Sequence, residues 1–385
     1  MHTARLTTSE SLLLDILRVA AAAVVAFGHL TQAPFSTGWK DRTYLARCAV
    51  TVFFVLSGFV IRYVTVQRAT TFGRYLGDRA SRIYSVALPA LALTLLTDTI
   101  ARHVHPAFYT PWAQDYQHPL LRLFVNLIFC GQLWSHLVAP LSNSPFWSIE
   151  YEVTYYLLYG CFFYLAGRSR WLWIALLCLA AGPRVLFLSP LWIAGCAIHD
   201  LYQHWNARGT AELWIDSLML LPIAALLIVL TEGEAHPGLT RISVLSAWPH
   251  LNAMANNVWI RPPDYVFGVF WTIVFLRLLL LARHIRIAKE SPLLRPVRYL
   301  AEGTFPIYLT HFPLLVLIAA CVPYNHASAL QKILVFVCVL ACGVLAGHPA
   351  NLFKDRIRRL LFGATAVLKP CAQQPCEAEA SRSSR

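Results

Sequence analysis

The sequence predicts an all-α protein, a polytopic transmembrane helical bundle of about ten spanning helices plus one re-entrant or interfacial helix. Three observations carry that expectation. Of the 385 residues, 57% are hydrophobic and mean hydropathy is +0.54, values that soluble domains seldom reach. Apolar runs of about 17–25 residues, the length that crosses a bilayer core, recur from end to end. The basic residues behind the net charge of +13 fall in the short connections between those runs. That placement points to loop orientation and anionic headgroups, and away from nucleic acid.

Eleven apolar segments can be drawn, over 12–31, 46–66, 83–101, 119–139, 146–167, 171–188, 189–204, 213–231, 266–283, 297–320 and 329–349. If all of them crossed, the basic clusters would fall on both sides. Segment 119–139 carries Arg122, Asn126, Gln132 and His136, a poor set for facing lipid. With that segment held back, ten spans remain and both termini are cytoplasmic. Four clusters then lie inside: Arg62, Arg68, Arg74, Arg79 and Arg82; Arg168 and Arg170; Arg283, Arg286, Lys289, Arg295 and Arg298; Lys354, Arg356, Arg358 and Arg359. The 232–265 loop lies outside, with Arg241 and Arg261 against Glu232, Glu234 and Asp264. Ser144-Pro145 reads as an N-cap followed by proline at the first helical position.

The expected location is the inner (cytoplasmic) membrane. Residues 1–350 form the integral-membrane domain and residues 351–385 a basic cytoplasmic segment. Its end, rich in Ser, Ala, Glu and Arg, reads as disordered. No cleavable signal peptide is expected, because Asp15 and Arg18 interrupt the first run and no small-residue cleavage site follows. Seven cysteines inside the runs (Cys130, Cys161, Cys178, Cys196, Cys321, Cys338, Cys342) show no CxxC pair and read as apolar filler. Cys371 and Cys376, in the polar tail, read as more reactive. His103, His105 and His118 lack ligand spacing, so no metal is expected.

Arg18 and His29 lie in the first run, eleven positions apart. Three helical turns, about 16 Å, therefore separate them on one face. Ionisable groups inside a bilayer are costly and mark a pathway or site by default. The blander alternatives are a core histidine held by hydrogen bonds, and an Arg18 that merely pairs with Asp15 three residues back.

Five motifs follow in order: LDILRVAAAAVVAFGH at 14–29, FFVLSGFVI at 53–61, DRASRIY at 78–84, FWSIEYEVTYYLL at 146–158 and GTFPIYLTHFPLL at 303–315. Together they resemble the bacterial integral-membrane acyltransferase-three family, whose members O-acylate surface polysaccharides. The resemblance spans about residues 10–350, with no sign of the extracytoplasmic esterase-like domain that some members carry.

The resemblance implies that His29 is essential to acyl transfer, and imidazole chemistry agrees, since it can take a proton from a hydroxyl near neutral pH. It associates Arg79 and Arg82 with acyl-CoA, which suits guanidinium groups that bind phosphate bidentately; the alternative is an anchor for lipid headgroups. Trp147, Ser148, Glu152 and Tyr156 match its Trp-Ser-x-x-x-Glu-x-x-x-Tyr pattern. There Glu152 is expected to orient or charge-stabilise the imidazole, or to serve a structural ion pair, while Glu150 complements the helix N-terminus. Tyr308 and His311 match the late Tyr-x-x-His motif. Ser85 replaces a usual proline, and Phe305-Pro306 replace a usual Tyr-Ser, so Pro306 is expected to kink its helix. Ser57-Gly58 reads as a close helix contact in preference to a nucleophile.

The expected function is O-acylation, with an acyl group, acetyl in the first instance, passing from cytoplasmic acyl-CoA to a hydroxyl of an extracytoplasmic or lipid-linked glycan. Acyl-CoA is a donor substrate, and no permanently bound cofactor is expected. The rival is a transporter or flippase of a lipid-linked or small-molecule substrate, which predicts inverted repeats and broken helices. No GxSxG elbow, HExxH helix, P-loop or GxGxxG opening is present, which removes several hydrolase, metal and nucleotide chemistries.

Overall fold

A computed structural model describes residues 5–68, 70–204, 220, 223 and 262–363, and contains no strand among them. The first helix, α1 (Thr8–Leu30), opens on a capping box. Thr7 Oγ1 accepts from the Glu10 amide at 3.2 Å, and Glu10 Oε2 accepts from the Thr7 amide at 2.5 Å, satisfying two donors that would otherwise be orphaned. α2 (Thr43–Gln67) runs back, and α3 (Phe72–Val104) starts under Thr71, whose hydroxyl accepts from the Arg74 amide. The short α4 (Pro106–Tyr109) and α5 (Pro119–Leu127) follow, then a 3₁₀ turn at Ser144–Phe146 that leads into α6 (Trp147–Tyr164). α7 (Gly167–Phe187), α8 (Ser189–His204), α9 (Pro262–His284), α10 (Leu294–Glu302), α11 (Thr304–Cys321) and α12 (Ala329–Phe362) complete the described chain.

Seven of these helices, α1, α2, α3, α7, α9, α11 and α12, are long and apolar enough to cross a membrane. The protein is an all-α, multi-pass membrane protein. α6 carries Glu150, Glu152 and five tyrosines and is not apolar enough to meet that standard. At 16 residues α8 is about 24 Å long, and at 9 residues α5 is about 14 Å, short of the ~30 Å hydrocarbon core. The segment 297–320, read from the sequence as one helix, breaks at Gly303 into α10 and α11. Pro306 does not kink α11: it sits in the first turn, whose amides have no intrahelical acceptor to lose. The Ser144 side chain makes no cap; the residue before the turn is Asn143, whose amide donates to Thr94 Oγ1 (3.1 Å) and the Leu309 carbonyl (2.9 Å). α12 runs through residue 350 to Phe362 without interruption. The expected span 213–231 (apart from residues 220 and 223), loop residues 232–261, the tail from 364 and its Cys371 and Cys376 lie outside the described residues.

All four basic clusters gather at one end of the bundle, called here the basic end. Arg358 pairs with Asp78 at 2.9 Å, Arg74 lies over the Phe362 ring at 5.5 Å, and Thr70 bonds Tyr164 at 2.8 Å. At the far end, residues 105–146 fold over the helix tips. Asp98 anchors them, accepting from Tyr109 Oη (2.7 Å), the Ser142 amide (2.8 Å) and Ser142 Oγ (2.7 Å). Asn126 donates to the Arg122 and Val138 carbonyls, and Arg184 to that of His136. The polar residues that make 119–139 a poor span are therefore spent on folding that cap.

α2 and α11 are the most enclosed of the crossing helices, and α7 and α12 the least. α2 and α8 meet backbone to backbone. A Cβ at Gly58 would lie 1.9 Å from the Trp192 carbonyl oxygen, and one at Gly195 would lie 2.0 Å from that of Val55. Only glycine permits that approach, so the reading of Gly58 as a helix contact holds.

Candidate active site

Seven of the ten residues singled out in the sequence line one cavity between α1, α2, α3, α6 and α11. They are Arg18, Arg79, Arg82, Ser148, Glu152, Tyr156 and Tyr308. With its mouth included, this cavity holds about 850 Å³ of empty space. Its basic-end wall is cationic. Arg79 and Arg82 stand on α3 itself, not on a preceding loop, because the helix already begins at Phe72. Their three-residue spacing turns both toward the cavity. Arg79 Nε is buried without a hydrogen-bond partner among the described residues. Arg18 Nη1 lies 3.7 Å from Asp15 Oδ1, the two side chains being 24% and 18% exposed; the pairing with Asp15 and a place on the cavity wall coexist.

Midway along the wall is Glu152. Its Oε1 accepts from Ser57 Oγ at 2.6 Å and from Tyr156 Oη at 2.5 Å, and Trp192 Nε1 in turn donates to Ser57 Oγ at 3.2 Å. Two donors on one oxygen fix the carboxylate and leave its second oxygen uncommitted. The expected contact between Glu152 and the His29 imidazole is not formed. Glu152 is one turn from Ser148 on α6, and His311 is one turn beyond Tyr308 on α11, so about 10 Å of bundle axis intervenes. Ser57 and Trp192 are the residues the sequence reading missed. The FFVLSGFVI motif carried a signal for Ser57, but nothing in the local sequence singles out Trp192, which joins the site only through the α2–α8 glycine contact.

The Ser148 and Tyr308 hydroxyls close the far side of the cavity at 2.5 Å, with Tyr308 also donating to the Pro145 carbonyl at 3.2 Å. Phe53 packs on the Tyr308 ring at 5.6 Å. Beyond this pair lie the two histidines, ring centroids 5.3 Å apart, with the Phe312 ring set edge-on to His29 at 5.4 Å between centroids. His311 Nδ1 faces the Tyr308 carbonyl at 2.8 Å and that of Ile307 at 3.2 Å. A carbonyl only accepts, so Nδ1 carries the hydrogen and Nε2 presents a lone pair. His29 Nδ1 and His311 Nε2 are both buried without a hydrogen-bond partner among the described residues. Trp147 does not line the cavity. It packs against Tyr151 (5.0 Å) and Phe54 (6.3 Å) and supports α6 from behind.

No group of three or more potential metal ligands forms among the described residues. The arrangement is thus a cationic entry, a fixed carboxylate in the middle and a pair of imidazoles at the end. A family model described as an acyltransferase domain, that of the acyltransferase-three family, matches residues 12–348. The chain belongs to this family. It is a membrane acyltransferase, a transferase of groups other than aminoacyl groups. Comparison with curated proteins and with solved structures finds no match to this acyltransferase. The matched range contains every cavity residue named above, so the site lies wholly within the acyltransferase domain.

Proposed function

We propose that the protein moves an acyl group, acetyl in the first instance, from cytoplasmic acyl-CoA to a hydroxyl of an extracytoplasmic or lipid-linked glycan. The observation that carries this reading is a single cavity in which Arg18, Arg79 and Arg82 stand at one end and Glu152, Ser148 and Tyr308 at the other. Three guanidinium groups suit a diphosphate, which they can grip bidentately while staying charged. The basic end faces the cytoplasm in this reading, as the positive-inside bias requires, with both termini on that side and the inner membrane as the location.

Arg18 and His29 stand about 16 Å apart on α1, so one carbonyl cannot touch both. The pantetheine arm is long enough for that interval: phosphates stay with the arginines, and the thioester carbonyl reaches the histidines once the Ser148–Tyr308 hydroxyl pair parts. His29 takes the proton of the acceptor hydroxyl, the oxygen attacks the thioester carbonyl, and the C–S bond breaks as the proton passes from His29 to the sulfur, releasing the coenzyme thiol. His311, locked with Nδ1–H on its own helix, offers Nε2 as an acceptor beside His29 and steadies its protonated form. Glu152 holds negative charge under the path of the arm, clamped by Ser57 and Tyr156.

The test uses full-length protein purified in detergent, labelled acetyl-CoA and a lipid-linked glycan. Label is expected in the glycan with wild type and not with His29→Ala. Wild-type protein that carries the glycan across liposomes without labelling it would favour the transporter reading instead.

A further inference from the structure

A second cavity opens at the basic end beside the first and shares Arg18, Arg82, Thr304 and Phe305 with it. Its remaining wall brings Arg298 from α10 and Lys354 from α12, and the whole holds about 830 Å³ of empty space, mouth included. Neither residue belongs to the five sequence motifs. Arg82 and Arg298 make no hydrogen bond or ion pair among the described residues, and Lys354 Nζ bonds only the Asn351 side chain, at 2.7 Å. Asp15 and Glu302 also line the cavity, and Asp15 is already engaged with Arg18. Four cations against two carboxylates, drawn from four helices separate in sequence, leave a net positive chamber next to the cationic wall of the first cavity.

Two cationic chambers joined at Arg18 and Arg82 match a ligand with two separate phosphoryl centres. Coenzyme A is such a ligand, with a diphosphate next to the pantetheine arm and a 3′-phosphate on the far side of the ribose. Only the first chamber leads on to Glu152 and Tyr308, so the diphosphate, nearest the arm, belongs there. We infer that the second chamber, through Arg298 and Lys354, binds the ribose 3′-phosphate of the donor and makes the protein selective for the complete coenzyme. This assignment rests on the acyl-CoA reading above.

The experiment measures KM for acetyl-CoA and for 3′-dephospho-acetyl-CoA in wild type, in the Arg298→Ala/Lys354→Ala double variant, and in the charge-keeping Arg298→Lys/Lys354→Arg variant. A charge-assisted contact to phosphate sets the scale: wild type should prefer the complete coenzyme by about tenfold or more. The alanine variant should bring the KM ratio close to one, and the charge-keeping variant should restore most of it. A ratio near one in wild type, or a preference that survives both alanine substitutions, overturns the inference while leaving acyl-CoA as donor. Wild-type protein that takes acetyl from neither thioester overturns the donor reading and this assignment with it. Repeating the assay with phosphatidylglycerol in the micelle distinguishes the other source of phosphate. A KM for acetyl-CoA that rises with this lipid in wild type but not in the alanine variant would give the chamber to a headgroup and overturn the assignment; no lipid dependence supports it.

Discussion

The two ends of the site are built on opposite plans. At the basic end the cations stand on four separate helices around open space, and Arg79 Nε has no hydrogen-bond partner among the described residues. At the far end the groups are packed ring on ring: His311 is fully buried, its Nδ1 fixed by two carbonyls, and Phe312 seals the edge of His29. An end with uncommitted donors suits a charged group arriving from water. An end with fixed donors and acceptors suits a reacting atom, because the geometry exists before the substrate does. In the proposed function the contrast separates binding from chemistry along one axis, and substitutions at each end should separate them in kinetics.

The strongest break of that contrast is His29→Ala. General-base participation accounts for about 10²–10⁴ in rate, so kcat for transfer should fall by about 10³ while thermal unfolding in detergent changes little. Activity within about tenfold of wild type would remove His29 from the proton-handling role. Next comes Arg79→Ala with Arg82→Ala, for which KM for acetyl-CoA should rise about 10–100-fold, with kcat within about twofold. A fall in kcat at unchanged KM would show that the basic end is not a binding region.

In the middle, Ser57→Ala removes one of the two hydrogen bonds to Glu152 Oε1 and the acceptor for the Trp192 indole. Hydrogen bonds to charged groups contribute about 1.5–3 kcal/mol, so kcat should drop about tenfold, and Ser57→Thr should recover part of it. An unaltered kcat in Ser57→Ala would mean that Tyr156 alone holds the carboxylate. The smallest effect on chemistry and the clearest on stability belongs to Gly58→Ala. Its Cβ would meet the Trp192 carbonyl oxygen at 1.9 Å, and overpacking of this kind costs about 1–3 kcal/mol. A lower unfolding temperature of detergent-solubilised protein is the readout.

The crossing helices were legible in the sequence because length and hydropathy report directly on the cost of placing backbone in lipid. The basic clusters were legible for the same reason, and they do meet at one end. What the chain alone does not encode locally is contact between distant turns. Arg18, Arg79, Arg82, Ser148, Glu152, Tyr156 and Tyr308 were each marked by a motif, yet nothing in their spacing shows that Glu152 faces Ser57 in place of His29. That depends on how α6 is placed beside α2, where Phe54 packs against Trp147 and Tyr155. The break at Gly303 was hidden for a related reason. The apolar pattern continues through it, and only the packing of Gly303 against α12 stops the helix from running straight on. Arg298 and Lys354 read in the sequence only as members of basic clusters, because a cation near a helix end normally does no more than anchor a loop.

The hydroxyl pair of Ser148 and Tyr308 has a consequence for the cell as well as for the reaction. A protein hollowed from one face toward a histidine pair near the other risks becoming a leak. Any file of water crossing it would discharge the proton gradient that the membrane maintains. Two side chains 2.5 Å apart, braced by Phe53 and the Pro145 carbonyl, leave no width for that file. They act as a stopper on the cavity, and in the proposed function the arm passes only when the two hydroxyls separate.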